Sequence, residues 1–298
     1  VRLRYAAREM ADLTGNKTSN PLAGLLSSNF RGRGIDFAEV RVYQPGDDVR
    51  TIDWRVTART QVAHTKVFQE EKERPVLILV DQSASMYFGS QVTFKSVLAA
   101  RTAAIIAWSA LERGDRVGGL VFSEKGHREI RPRRNKHAVL RLLNELHDFN
   151  HALKKESATE SAAYNDNYFT EAISNVRRVT KHGSVIFIIS DFTNFSEESR
   201  IHLQPLARHS DVIGIHISDS LEQHLPTPDL YSITNGAERT RINTASGKTR
   251  DAYERGFQQQ IAAIQEEFMR VKAPLLMLQT HQPILAGLNR QASFAAKV

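Results

Sequence analysis

The sequence predicts an α/β protein built on a doubly wound, mostly parallel six-stranded sheet with a small β-rich satellite. Two wholly apolar runs, Val76–Val80 and Val185–Ile189, have the continuous hydrophobicity of strands buried on both faces, and each stops close to an aspartate, Asp81 and Asp191. From Val76 onward strand-like and helix-like segments alternate, which is the rhythm of a parallel sheet covered by crossover helices. At 298 residues the chain is long enough for one such domain with additions.

The elements follow in order. Thr93 to Glu112 carries Val97, Leu98, Ile105, Trp108 and Leu111 near helical spacing, and Arg113-Gly114-Asp115 ends that helix. A second strand spans Arg116 to Phe122, and Gly126 turns the chain into a short antiparallel strand around Arg128 to Ile130. His137 to Leu146 reads as a helix, the polar stretch Lys154 to Asn167 as a loop, and Thr170 to Thr180 as the next helix, closed by Gly183. Strands at 184–190, 211–217 and 275–278 complete the sheet, the last reached through a helix from Tyr253 to Val271. Two further pieces are β-like: Val40 to Phe68, broken by Pro45-Gly46, and Tyr231 to Thr249, a hairpin around Asn235-Gly236. These two are expected to pack together as the satellite. The expected organisation is an N-terminal segment 1–33, a β-rich segment 34–74, the core 75–218, a hairpin insertion 219–250, and a final helix, strand and tail 251–298.

Composition excludes several functions. With no cysteine there is no disulfide framework, iron–sulfur cluster or thiol nucleophile, and a reducing compartment such as the cytoplasm is expected. The longest apolar helical stretch, Val97 to Leu111, is too short to span a bilayer and contains Arg101. No signal peptide is visible. The net charge of +7 raises nucleic acid as a partner, but the basic block Arg128, Arg131, Arg133, Arg134 and Lys136 has no interleaved aromatics to stack on bases. A solvated basic face is the simpler reading, and nucleic-acid binding is not expected.

Asp81, Ser83 and Ser85 are spaced two apart where the first strand ends, so a curling loop can converge three oxygens. Oxygen is the ligand of Mg²⁺, Mn²⁺ or Ca²⁺, and no thiolate or imidazole is present to favour zinc or copper. Together with Ile189-Ser190-Asp191, this pattern resembles the metal-ion-dependent adhesion site, or MIDAS motif, of von Willebrand factor A (vWA) domains. The segment from Tyr43 through Pro45-Gly46-Asp47-Asp48, Arg50, Asp53-Trp54-Arg55, Ala58-Arg59 and Glu70 is similar to the signature of the bacterial DUF58 family, whose members carry a vWA-like core. The similarity runs on through Ser218-Asp219 and Leu225-Pro226 and covers most of the chain from Gly34.

The resemblance implies a strand order three-two-one-four-five-six, which sets the strands ending at Asp81 and Asp191 side by side. It implies a divalent metal contacted by Ser83 and Ser85, with Asp81 and Asp191 acting mainly through water and a partner's carboxylate completing the shell. The chain departs from the pattern where Asn167 stands in place of the family's threonine ligand. Thr170 and Asp166 are nearby substitutes, and Asn167 offers an amide oxygen. The other reading of the loop is a site that has given up metal and keeps Asp81, Ser83 and Ser85 for hydrogen bonding and capping.

The resemblance therefore implies a non-enzymatic protein–protein interaction module, working with a MoxR-type AAA+ ATPase in assembling or activating protein complexes. A haloacid dehalogenase-like, Mg²⁺-dependent phosphatase is the competing class, with Asp81 as nucleophile, but the general acid expected two residues on is Ser83. Ser246-Gly247-Lys248-Thr249 looks like the end of a phosphate loop without its first glycine, and is expected to be a hairpin end. Trp54 is expected in a core, and Asp47, Asp48, Arg50 and Asp53 either touch a partner or pair locally in a turn.

Overall fold

A computed structural model of the chain describes residues 35–70, 74–152, 167–234 and 239–288. The chain divides into two compact units, residues 29–74 and the remainder. The expected loop 154–166, the turn at Asn235-Gly236 and Asp166 lie outside the described residues.

The larger unit holds a six-stranded sheet of β3 (Pro75–Asp81), β4 (Arg116–Ser123), β5 (Gly126–Arg133), β6 (Val185–Ser190), β7 (Asp211–Ser218) and β10 (Leu275–Gln279). Its order is β10-β7-β6-β3-β4-β5, which from the β5 side is the three-two-one-four-five-six arrangement, and only β5 runs antiparallel. The apolar runs sort as a pleat requires, with Val76, Ile78 and Val80 in one core cluster and Leu77 and Leu79 in the other. Each fully buried side chain of this size stabilises the sheet by roughly 1.5–3 kcal/mol. Helices α2 (Lys95–Glu112) and α3 (Lys136–Ala152) contribute to the first cluster. Helices α4 (Tyr168–Val179), α5 (Glu197–His209) and α7 (Gly247–Arg270) contribute to the second.

The basic block lies on or just after β5, the edge strand, where seven of eight residues are not buried. Exposed charge along an unpaired edge opposes pairing with another chain, which gives these arginines a structural role. Gly118 in β4 faces a register shift against β5, and a Cβ there would meet the Ile130 carbonyl oxygen at 2.5 Å, so no larger residue fits.

After β7 a single turn, α6 (Ser220–Gln223), leads to the hairpin of β8 (Leu230–Thr234) and β9 (Arg239–Asn243). Arg250 fastens the base of that hairpin, donating to the carbonyls of Leu225, Pro226 and Thr244. Ser246-Gly247-Lys248-Thr249 proves to be the start of α7 and not a hairpin end. Ser246 is its N-cap and accepts from the Thr249 amide, so the helix begins four residues before the expected boundary at 251.

Residues 29–74 hold the two-stranded sheet of β1 (Ile35–Val42) and β2 (His64–Glu70). Between them stand a 3₁₀ turn, Val49–Thr51, and a helix that the strand-like reading of 40–68 did not include, α1 (Trp54–Thr60). Asp53 starts that helix, its carboxylate accepting from the amides of Arg55 and Val56. Asp48 caps the 3₁₀ turn and Asp47 pairs with Arg41 at 2.7 Å, so three of the four charged residues of this segment are engaged locally. Trp54 is 69% exposed, contrary to the expected core position, because it opens α1 on a solvent-facing first turn. β1–β2 and β8–β9 are two-stranded sheets, each with its own backbone pairing.

Candidate functional site

β3 and β6 are adjacent and parallel, with Val80 opposite Ile189, so both strands release their aspartates at the same edge. This edge lies where the strand order reverses, the place at which open α/β sheets form crevices. Asp81 is buried, and its two oxygens are used separately. Oδ1 accepts from the Ser83 amide at 2.9 Å, and Oδ2 accepts from the Ser190 hydroxyl at 2.6 Å. Ser190 in turn accepts from the Phe192 amide, so it fixes both strand ends at once.

Beyond Asp81 the chain makes a 3₁₀ turn, Ala84–Met86, that sets the Ser83 and Ser85 hydroxyl oxygens 3.1 Å apart. Gln82 holds the turn from behind. Its amide group donates to the carbonyls of Asp81 and Ser96, while its oxygen accepts from Asn150 of α3. The Ala84 amide donates to Glu124. The loop is thus fixed by hydrogen bonds on both sides, with Ser83 buried and Ser85 half-buried.

Asp191 is organised by a group that the sequence pattern did not single out. Lys95, the first residue of α2, is 1% exposed, and its ammonium lies 2.9 Å from Asp191 Oδ2 and in contact with Glu222 Oε1. Oδ1 of Asp191 accepts from the Thr193 amide. Burial, the largest influence, would push the Asp191 carboxyl up, but the Lys95 charge together with hydrogen bonds from Lys95, Thr193 and Ser85 holds the group below the usual carboxylate range. Asp81 has no such cation among the described residues. Burial, followed by repulsion from Asp191, pushes it up to about 7 against the hydrogen bonds that oppose the shift. Phe192, between these groups, has a left-handed φ of 54° although it is not glycine, and is held there by packing on Phe169, Phe195, Phe268 and His216.

Glu222 and Asp219 extend the network. Glu222 accepts from the Asp219 amide, and Asp219 accepts from Ser90, Leu221 and Thr280. The loop after Ser85 is thereby tied to the ends of β7 and β10. Lysine at the start of a helix usually faces solvent, so only the long-range pairing reveals Lys95.

The structure brings Asp81, Ser83, Ser85 and Asp191 together. Asn167 occupies the N-cap position of α4 without a side-chain capping bond. Thr170 is turned away, its hydroxyl 2.7 Å from Ser199 and 3.2 Å from Ser196 in the capping box of α5. Tyr168 instead reaches the site. Its hydroxyl accepts from Asn194 at 2.6 Å, and burial, then the Asp81 charge, pushes it up.

A family model, described as "Protein of unknown function DUF58", matches residues 39–263. This chain belongs to the DUF58 family. The chain is similar to Uncharacterized protein Rv1480 of Mycobacterium tuberculosis and Uncharacterized protein Mb1516 of Mycobacterium bovis, each 28% identical over 263 residues, 87% of this chain and 79% of theirs. Among solved structures, conserved hypothetical protein BatB from Bacteroides thetaiotaomicron is 16% identical, covering 76% of this chain and 100% of its own, with a TM-score of 0.43. A von Willebrand factor type A protein from Catenulispora acidiphila is 13% identical over 91% of this chain and 51% of its own, with a TM-score of 0.37. The DUF58 match reaches from β1 into α7 and so includes Asp81, Ser83, Ser85, Lys95, Asp191 and Glu222.

The donor atoms are of the type that hard divalent cations take. All candidate atoms are oxygens, the two hydroxyl oxygens lie 3.1 Å apart, and the buried Asp81 carboxylate has no counter-charge among the described residues. Among the described residues no cluster of three or more His, Cys, Asp or Glu is disposed to hold a metal, so any such site depends on the serines. No described helix is long and apolar enough to cross a membrane.

Proposed function

We propose that this chain is a non-enzymatic protein–protein interaction module that engages an acidic side chain of a protein partner through a divalent cation, Mg²⁺ or alternatively Mn²⁺ or Ca²⁺. Asp81, Ser83 and Ser85 would hold the ion, Asp191 would add negative charge beside it, and Asn167 is the candidate from the intervening loop. The bound ion would supply an open position for a carboxylate, giving directional and chelator-sensitive affinity.

The observation that carries this reading is the charge asymmetry of the two aspartates: Lys95 neutralises Asp191, while Asp81, also buried, is held by Ser83 and Ser190 and meets no cation among the described residues. A non-catalytic role agrees with the chemistry present. Among the described residues neither Ser83 nor Ser85 is hydrogen-bonded to an imidazole that could activate it, and Ser83 stands where a phosphatase would need its general acid. The family resemblance makes a MoxR-type AAA+ ATPase the first partner to test.

The test is binding of the cognate MoxR-type ATPase, measured with Mg²⁺, with EDTA, and with Mg²⁺ restored. Loss on chelation and recovery on restoration support the reading. Binding indifferent both to chelator and to Asp81→Ala contradicts it, and Asp81-dependent hydrolysis of a phosphate ester would replace it with the phosphatase.

A further inference from the structure

Beside the candidate metal loop, on the β7 side, lies a cavity of about 350 Å³. One wall carries the carboxylates of Asp191 and Glu222, and another carries Tyr253 and Phe257 of α7. Small-ligand sites begin at about this volume and characteristically combine apolar rings with a few convergent polar groups. Every oxygen of the two carboxylates already accepts one bond, from Lys95, Thr193 or the Asp219 amide. A carboxylate has about four acceptor positions, so each retains capacity for a donor.

Two independent observations show that the cavity is more than a gap in packing. His216 lines it, is 3% exposed, and has a ring nitrogen, Nδ1, that is buried without a hydrogen-bond partner among the described residues. Buried polar atoms left unpaired are uncommon and point to something missing from the shell around them. Gly256, the second, stands inside the 24-residue helix α7 and also lines the cavity. Glycine destabilises a helix interior relative to alanine, yet Gly256 is exposed, and beyond its chain neighbours and the helix's own backbone no described atom lies within 4 Å of where its Cβ would be. Packing within the chain therefore does not require glycine there.

The charge around the cavity selects the ligand. Asp191 and Glu222 face it with Lys95 shared between them, leaving one net negative charge, and the aromatic rings add the negative face of their π systems. We propose that this cavity binds an ammonium or guanidinium group, held between the carboxylates of Asp191 and Glu222 and the rings of Tyr253 and Phe257. The inference does not depend on a bound metal.

The experiment is an NMR titration of the whole chain in EDTA with agmatine, and separately with the peptide acetyl-Gly-Arg-Gly-amide. Resonances of the His216 ring and the Gly256 amide are followed. Saturable shifts with half-saturation below about 10 mM are expected. Saturation by agmatine alone assigns the site to a free small amine, and saturation by the peptide as well assigns it to a partner's side chain. Glu222→Gln should weaken binding about tenfold, the effect of losing one charge-assisted contact. Gly256→Leu, which keeps a helix-forming residue while filling the space, should abolish it. Absence of saturation with both probes overturns the proposal, as does binding that survives Gly256→Leu.

Discussion

The Lys95 ammonium lies 2.9 Å from Asp191 Oδ2 with only 1% of the lysine exposed, which makes it a cation built into the edge of the sheet where a divalent ion is proposed to bind. It joins three segments, the start of α2, the end of β6 and the turn after β7.

Breaking a buried ion pair from one side leaves an uncompensated charge, so Lys95→Met should cost about 3–5 kcal/mol in urea unfolding. The double variant Lys95→Met with Asp191→Asn should recover part of that loss. Additive losses in the two variants would mean that the pair is not coupled.

Asp81 produces an unusual pH dependence. Its folded value, about 7, lies above the ordinary 3.8, so between these pH values the folded state binds more protons than the unfolded one. Stability from this group is therefore present at acid pH and is lost as pH rises towards 7, by a few kcal/mol at about 1.4 kcal/mol per pH unit spanned. Without metal, Asp81→Asn should be more stable than the parent at pH 8, with the gain vanishing near pH 4. Thermal melts across that range in EDTA check it.

His216 has the opposite sign. Burial, its largest influence, lowers its value from 6.5 to about 4, so the unfolded state takes up a proton that the folded state refuses. Its contribution to stability is complete above pH 6.5 and is lost as pH falls towards 4. His216→Phe, which preserves a ring against Phe192, should gain on the parent steadily over that interval. A constant difference between the two proteins would show that His216 does not titrate in this way.

Asp219 is fully buried and accepts from the Ser90 amide and hydroxyl, the Leu221 amide and the Thr280 hydroxyl, so Asp219→Ala leaves four donors without it. A loss of roughly 2–4 kcal/mol is expected, at about 1–3 kcal/mol for each buried group left unsatisfied, discounted for relaxation. Hydrogen exchange at the Ser90 amide should accelerate more than exchange in β3.

Strong local signals were legible in the sequence. The unbroken apolar runs of β3 and β6 located the sheet centre, and the spacing of Asp81, Ser83 and Ser85 placed three oxygens on one loop because that spacing has few other outcomes. Thr170 and Tyr168 show where such reasoning stops: both sit in the first turn of α4, and only the packing of α4 on α5 decides that Tyr168 faces the site while Thr170 faces Ser199. Lys95 and Glu222 are 127 residues apart, and no local pattern joins them. Helix α1 was hidden because Trp54–Thr60 has no apolar stripe. Its signal was the capping aspartate, Asp53, rather than periodicity.

A Mn²⁺ titration followed by electron paramagnetic resonance tests whether Asp81, Ser83 and Ser85 form a cation site. At pH 8 the parent should bind one Mn²⁺ that Mg²⁺ displaces, and Asp81→Asn and Ser83→Ala should each weaken it at least about tenfold, the scale of one charge-assisted contact. A parent that leaves Mn²⁺ free, or variants that bind it as tightly as the parent, would contradict the account.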